Sequence, residues 1–172
     1  RQQIQQTEID SAVKFKLGFP MGIFELADFT GLDVIHKATI EMHVRDKKVI
    51  LPHPTIEQLF NEKKLGQKSG EGFYKYSDDK YERIPLSEEL AQKCNPIQII
   101  GNILNNAAWL VTNNASDIDE IEKAANLGLG LKKPLFETAK EIGMQKIVDE
   151  LNQLSKKYGT FYEPDSLLLS MC

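Results

Sequence analysis

The stretch LGFPMGIFELADFTGLD (residues 17–33) sets a corner between helical patterns that no single helix would tolerate. Before it, Ile9, Val13 and Leu17 recur at helical spacing. Between Leu17 and Phe24 the chain inserts Gly-Phe-Pro-Met-Gly, in which Gly18 and Gly22 permit unusual backbone angles and Pro20 lacks an amide donor. After it, Ile23 to Thr30 reads as a short helix stopped by Gly31. Asp33 then caps a further helix through about Val44. The stretch therefore predicts a helix, an apolar corner and two more helices.

Working outward, Thr7 reads as the N-cap of the first helix, with Asp10 as the partner of a shortened capping box. PTIEQLFNEKKLG (54–66) predicts a compact helix of three turns that starts at Pro54 or Thr55 and ends at Gly66. GQKSGEGFYKYSDDKYERIP (66–85) alternates aromatic and polar residues after its glycines. It predicts an extended tail or small hairpin near 71–84, with a polar junction from Ser77 to Pro85. Those glycines precede no helix and follow no strand, so they do not form a phosphate loop. Asn95 and Pro96 open a long helix striped by Ile97, Ile100, Leu104, Ala107 and Val111. A last helix carries Ile147, Leu151, Leu154 and Tyr158 and stops at Gly159. The expected class is all-α.

Composition narrows the function. Of 172 residues, 41% are hydrophobic and 27% charged, enough for a packed core. Net charge is −4, and the basic residues fall in short doublets such as Lys63-Lys64 and Lys156-Lys157, so no nucleic-acid partner is expected. No apolar run approaches the ~20 residues of a bilayer span, and no membrane partner is expected. Cys94 and Cys172 form no metal or redox motif. They point to a reduced, cytoplasmic compartment with no metal. The chain starts at Arg1 rather than Met, which predicts a fragment of something longer.

The pattern returns about a hundred residues on. TEIDSAVKFKLG (Thr7–Gly18) pairs with SDIDEIEKAANLG (Ser116–Gly128), Ile9 falling opposite Ile118 at an offset of 109. FELADFTG (Phe24–Gly31) pairs with FETAKEIG (Phe136–Gly143) at an offset of 112, and Pro54 with Pro164 at 110. Two tandem helical domains are expected, residues 1–86 and a diverged copy at 87–172. The second copy lacks Pro-Met-Gly in its corner, and the first lacks a counterpart of the long helix at 96–113.

The Leu-Gly-Phe-Pro-Met-Gly-x-Phe-Glu-Leu-Ala-Asp corner, followed by Gly-x-Lys-x-Gly-x-Gly-Phe-Tyr-x-Tyr, resembles the C-terminal domain of 3-hydroxyacyl-CoA dehydrogenases. The likeness is close over residues 7–76 and weaker over 96–172. It implies the all-α fold of the 6-phosphogluconate dehydrogenase C-terminal-like type, in duplicate, as in multifunctional fatty-acid-oxidation enzymes. It also implies that, in the full chain, this part walls an acyl-CoA cleft and serves assembly. NAD and the catalytic His-Glu pair would belong to a nucleotide-binding domain ahead of it, so the fragment is expected to hold neither cofactor nor catalytic residue. Phe19, Pro20, Met21, Gly22 and Phe24 are the candidate cleft wall, with a corner that merely packs the core as the equal alternative.

Other polar residues invite plainer readings. His36, His43 and His53 are expected to be structural or solvated, and Glu25 and Asp28 to face water from a helix surface. Two rival functions stand beside the dehydrogenase: a non-catalytic helical interaction module, and the helical domain of another NAD(P)-dependent hydroxyacid dehydrogenase. Without its long helix, the first copy should expose an apolar groove beside residues 7–35 and self-associate across it.

Overall fold

The computed structural model describes residues 4–76, 85–131 and 133–172. Among these, every regular element is helical: α1 (Gln6–Leu17), α2 (Ile23–Thr30), α3 (Leu32–Arg45), α4 (Pro54–Asn61), α5 (Glu88–Ala91), α6 (Ile97–Thr112), α7 (Ile118–Leu129), α8 (Leu135–Ile142), α9 (Met144–Tyr158) and α10 (Ser166–Ser170). Short 3-10 turns add Gln67–Ser69 and Thr160–Tyr162. The expected extended segment reduces to two isolated antiparallel bridges, Gly66 with Glu71 and Glu71 with Lys75. Residues 77–84 of that expectation, and with them nearly all of the predicted junction, lie outside the described residues.

The chain forms two compact units. The first runs to Ser11 and resumes from Met21 to Cys94; the second takes Ala12–Pro20 and Asn95–Cys172. In the later part of the chain the first unit ends at Cys94 and the second resumes at Asn95. Helix α1 is divided, since Ala12, Val13 and Leu17 bury themselves in the second unit. In the first unit α3 packs on α2 and α4. In the second, α6 lies against α7, α8, α9 and α10. Ile100, Leu104, Ala107 and Ala108 meet Ile147, Val148 and Leu151 there to form a core of fully buried aliphatics.

The helices recur at one constant spacing. Gln6 and Ile118, Ile23 and Leu135, Leu32 and Met144, and Pro54 and Ser166 open equivalent helices, each pair 112 residues apart. The stop glycines keep the same register: Gly18 (φ +74) with Gly130 (φ +67), and Gly31 (φ +98) with Gly143 (φ +102). The offsets of 109 and 110 expected at Ile9/Ile118 and Pro54/Pro164 are therefore corrected, and the drift they implied does not exist. The letters around Ile9 and Ile118 are alike but the caps differ: Asp117, not Ser116, accepts the Glu120 amide at the start of α7.

Further caps differ from expectation, Asp33 among them: it lies inside α3, whose N-cap is Gly31. Thr7 lies inside α1, and Asp10 serves another helix, as described below. Helix α4 ends at Asn61, short of Gly66, because Lys63 turns to φ +61 and closes it early.

Candidate functional site

The first unit is organised around carboxylates that the sequence placed at a wet surface. Helix α2 starts at Gly22, which has no side chain to cap it. Asp10 reaches across from α1 instead and accepts the amides of Phe24 at 2.9 Å and Glu25 at 3.0 Å. Glu25 folds back to accept the Gly22 amide at 2.8 Å, so a capping box is assembled from two helices. Gly22 is required by space: a Cβ there would stand 2.1 Å from the Asp10 Cγ. Asp10 is fully buried and Glu25 nearly so.

Asp28, one turn on and 1% exposed, clamps the tail in the same way. Its carboxylate accepts the amides of Phe73 and Tyr74, each at 2.9 Å, and the hydroxyl of Tyr76 at 2.8 Å. The Tyr74 hydroxyl donates to Asp10 at 2.9 Å and so joins the two clamps. The tail glycines answer the same crowding: a Cβ on Gly72 would fall 2.1 Å from the Asp28 Oδ1, and one on Gly66 would fall 2.2 Å from the Asp28 carbonyl oxygen. Burial pushes the Asp10 carboxyl above its ordinary range, the charge of Glu25 adds to this, and its three hydrogen bonds oppose it. Burial also pushes the Tyr74 phenol far up, aided by the Asp10 charge.

These groups are engaged within the fold. Their oxygens are spent on amides and hydroxyls, and the knot ties α1, α2 and the 66–76 tail together. The expectation that Glu25 and Asp28 face water is thus corrected. One signal lay in the sequence: glycine at 22 and at 72 leaves room for a close approach, and at both a buried carboxylate fills that room.

Beside the knot lies a cleft of about 760 Å³ in the first unit. Ile4, Ile9, Phe24, Ile56 and Phe73 supply its apolar wall, and Phe24 and Phe73 meet edge to face at 4.6 Å. Of the five candidate wall residues, Phe24 lines this cleft. Gly22 is buried against Asp10, and Met21 is half-buried in the same unit. Phe19 and Pro20 belong to the second unit, where Pro20 stands 3.3 Å from the position a Cβ would take on Gly130.

The three histidines are all engaged. His36 is buried, donates from Nε2 to Glu57 at 2.6 Å and stacks on Phe60 at 4.1 Å. His43 donates from Nδ1 to the Val49 carbonyl at 2.5 Å, and His53 accepts the Thr55 amide to cap α4. No group of three metal-ligating side chains occurs among the described residues. No helix there is long and apolar enough to cross a membrane. The sequence has no Gly-x-Gly-x-x-Gly.

The family model for the 3-hydroxyacyl-CoA dehydrogenase C-terminal domain matches residues 1–76 and 98–172. The mitochondrial hydroxyacyl-coenzyme A dehydrogenase of Rattus norvegicus is 42% identical over 78 residues, which are 44% of this chain and 25% of that protein. The Homo sapiens protein of the same name gives the same figures. The chain thus spans about a quarter of the length of these curated relatives. Among solved structures, 3-hydroxybutyryl-CoA dehydrogenase from Escherichia coli aligns with 96% of this chain and 54% of its own, at a TM-score of 0.74 and 20% identity. The dehydrogenase part of multifunctional enzyme 1 from C. elegans covers 96% of this chain and 42% of its own, at 0.65 and 21%. At such identities the two structures show a shared helical fold.

Proposed function

Because this chain belongs to the 3-hydroxyacyl-CoA dehydrogenase C-terminal domain family, we propose that it is the helical part of an enzyme oxidising 3-hydroxyacyl-CoA to 3-ketoacyl-CoA with NAD. The observation that carries this is the family match over nearly the whole chain. In this reading its residues do no chemistry. They wall the acyl-CoA and hold it still, which is what a hydride transfer performed by another domain requires. NAD and the proton-abstracting pair are assigned to that other domain, and Phe19, Pro20, Met21, Gly22 and Phe24 to the wall.

The constant spacing of 112 residues supports reading the two helical sets as copies of one domain. Exposed apolar side chains on α2 and α3, among them Leu26, Phe29 and Val34, support a role in self-association. The cysteines favour the cytoplasm, whereas relatives are named as mitochondrial; imaging the tagged parent protein separates the two.

The test is the parent polypeptide assayed for NAD reduction with 3-hydroxyacyl-CoA thioesters of increasing chain length. Substrate-dependent NADH formation is expected. Met21→Ala and Phe24→Ala should raise KM several-fold more for long acyl chains than for short ones. A parent that forms no NADH with any of the 3-hydroxyacyl-CoA thioesters overturns the reading.

A further inference from the structure

The outward side of α2 and α3 carries apolar side chains that the fold does not need. Leu26 and Phe29 on α2 are 41% and 65% exposed, and Val34 and Val44 on α3 are 49% and 60% exposed. The same places in the second unit, 112 residues on, hold Thr138, Glu141, Lys146 and Lys156. Helices α8 and α9 form with those polar residues, so helix formation does not explain the apolar ones. Helical spacing gathers the α3 members: Val34, Lys37, Ala38, Glu41, Val44 and Arg45 share one side of a helix of about 3.6 residues per turn, and all six are exposed.

Positive charge borders this side. Lys37 and Arg45 lie on it, and Lys47 and Lys48 follow in the exposed turn after α3. None of these four cations forms an ion pair among the described residues. The opposing carboxylates are Glu41 and Asp46, and Asp46 accepts the Lys48 amide at 2.9 Å. His43 fixes the turn from within, its Nδ1 donating to the Val49 carbonyl at 2.5 Å.

We infer that this face rests on an anionic lipid surface, its apolar side chains entering the headgroup boundary and its cations meeting the lipid charges. The lack of a bilayer-spanning helix among the described residues bears on crossing a membrane, not on lying against one. Self-association would cover the same apolar side chains, and the cations decide between the two occupants. Lysine is depleted from protein–protein interfaces, and two copies meeting on one shared patch bring like charges together. Apolar tips beside a basic cluster are instead the paired signals that hold a protein at an anionic leaflet. The contact involves no step of dehydrogenation, so it stands or falls separately from the proposed function.

The test is co-sedimentation of the 172-residue chain with vesicles of phosphatidylcholine alone and of phosphatidylcholine with phosphatidylserine. Binding to the phosphatidylserine vesicles alone is expected, and it should decline as salt is raised. Lys47→Glu combined with Lys48→Glu should weaken it about tenfold or more. Phe29→Asp and Val44→Asp should each weaken it by a similar factor. Both replace exposed side chains, and circular dichroism checks that each variant folds. Trp109→Asp alters an equally exposed side chain of the second unit and should leave binding unchanged. No binding to the phosphatidylserine vesicles, equal binding to both kinds, or binding indifferent to the Lys47 and Lys48 changes overturns the inference. So does a dimer, seen by sedimentation equilibrium without vesicles, that Phe29→Asp splits: the face then belongs to a second copy.

Discussion

Asp10 is the residue on which the first unit turns. It takes the place of a side chain that Gly22 does not have, and Gly22 lacks that side chain because Asp10 fills the space. Gly22→Ala keeps an ordinary backbone (φ −72) yet drives a methyl to 2.1 Å from the Asp10 Cγ. The expected loss is about 3 kcal/mol, the upper end for overpacking. Gly128→Ala, in a helix with nothing within 4 Å, should instead add ~0.5–1 kcal/mol. Urea titration of both variants distinguishes crowding from a general intolerance of glycine replacement. The pH response of Asp10 has a definite sign. Burial raises its folded pKa above 3.8, so the folded state holds the proton more tightly than the unfolded state. Its contribution is complete below about 3.8 and is lost as pH rises through the folded value. The stability difference between wild type and Asp10→Asn should therefore fall as pH increases across that window. A difference that stays level, or grows with pH, would remove Asp10 as the titrating group.

Among the elements, the clamps rather than the helix propensities hold the arrangement. Tyr74 and Tyr76 each donate a hydroxyl to a buried carboxylate, and each Tyr→Phe change should cost about 1.5–3 kcal/mol. The Tyr74 phenol is pushed above its ordinary range by burial and by the neighbouring Asp10 charge. In alkaline titration by ultraviolet absorbance, Tyr74→Phe should leave the number of tyrosines ionising in the native state unchanged. Glu122 repeats the borrowed cap in the second unit. It reaches from α7 to the amides of Leu135 at 2.6 Å and Phe136 at 2.8 Å, at the spacing of 112 from Asp10. Glu122→Ala should cost about 1 kcal/mol, readable by thermal unfolding. This level also shows what the sequence could tell. Glycine stops and apolar stripes are local, so the ends of α1, α2 and α9 could be read directly from residues 17, 30 and 158. Borrowed caps are not local: nothing near Gly22 says that its cap lies twelve residues back, and the letters around Thr7 imitate a cap that the chain does not use. The clamp on Asp28 spans 45 residues, and only Gly72, where a Cβ would meet the Asp28 carboxylate, hinted at it.

For the whole molecule, the three histidines and the buried aspartates Asp10 and Asp28 are each bonded within the fold, while the buried Nδ1 of His36 has no partner among the described residues. A general base needs an open nitrogen or oxygen within reach of a substrate proton. His36 is stacked and tied to Glu57, His43 is tied to the Val49 carbonyl, and His53 is turned to the α4 amides. Asp10 and Asp28 each accept three hydrogen bonds beneath the surface. The sequence also has no Gly-x-Gly-x-x-Gly loop of the kind that holds a dinucleotide pyrophosphate. The purified 172-residue chain is therefore expected to form no NADH from 3-hydroxybutyryl-CoA above a protein-free blank, at any pH between 6 and 10 where such a transfer would be sought, about the range set by histidine and lysine titration. Replacing the histidines one at a time should change unfolding midpoints, most for His36, and leave that blank rate untouched. NADH formation that His36→Ala or His43→Ala abolishes would show that one of these rings does chemistry after all, and the division of labour proposed for the family would not hold in this chain.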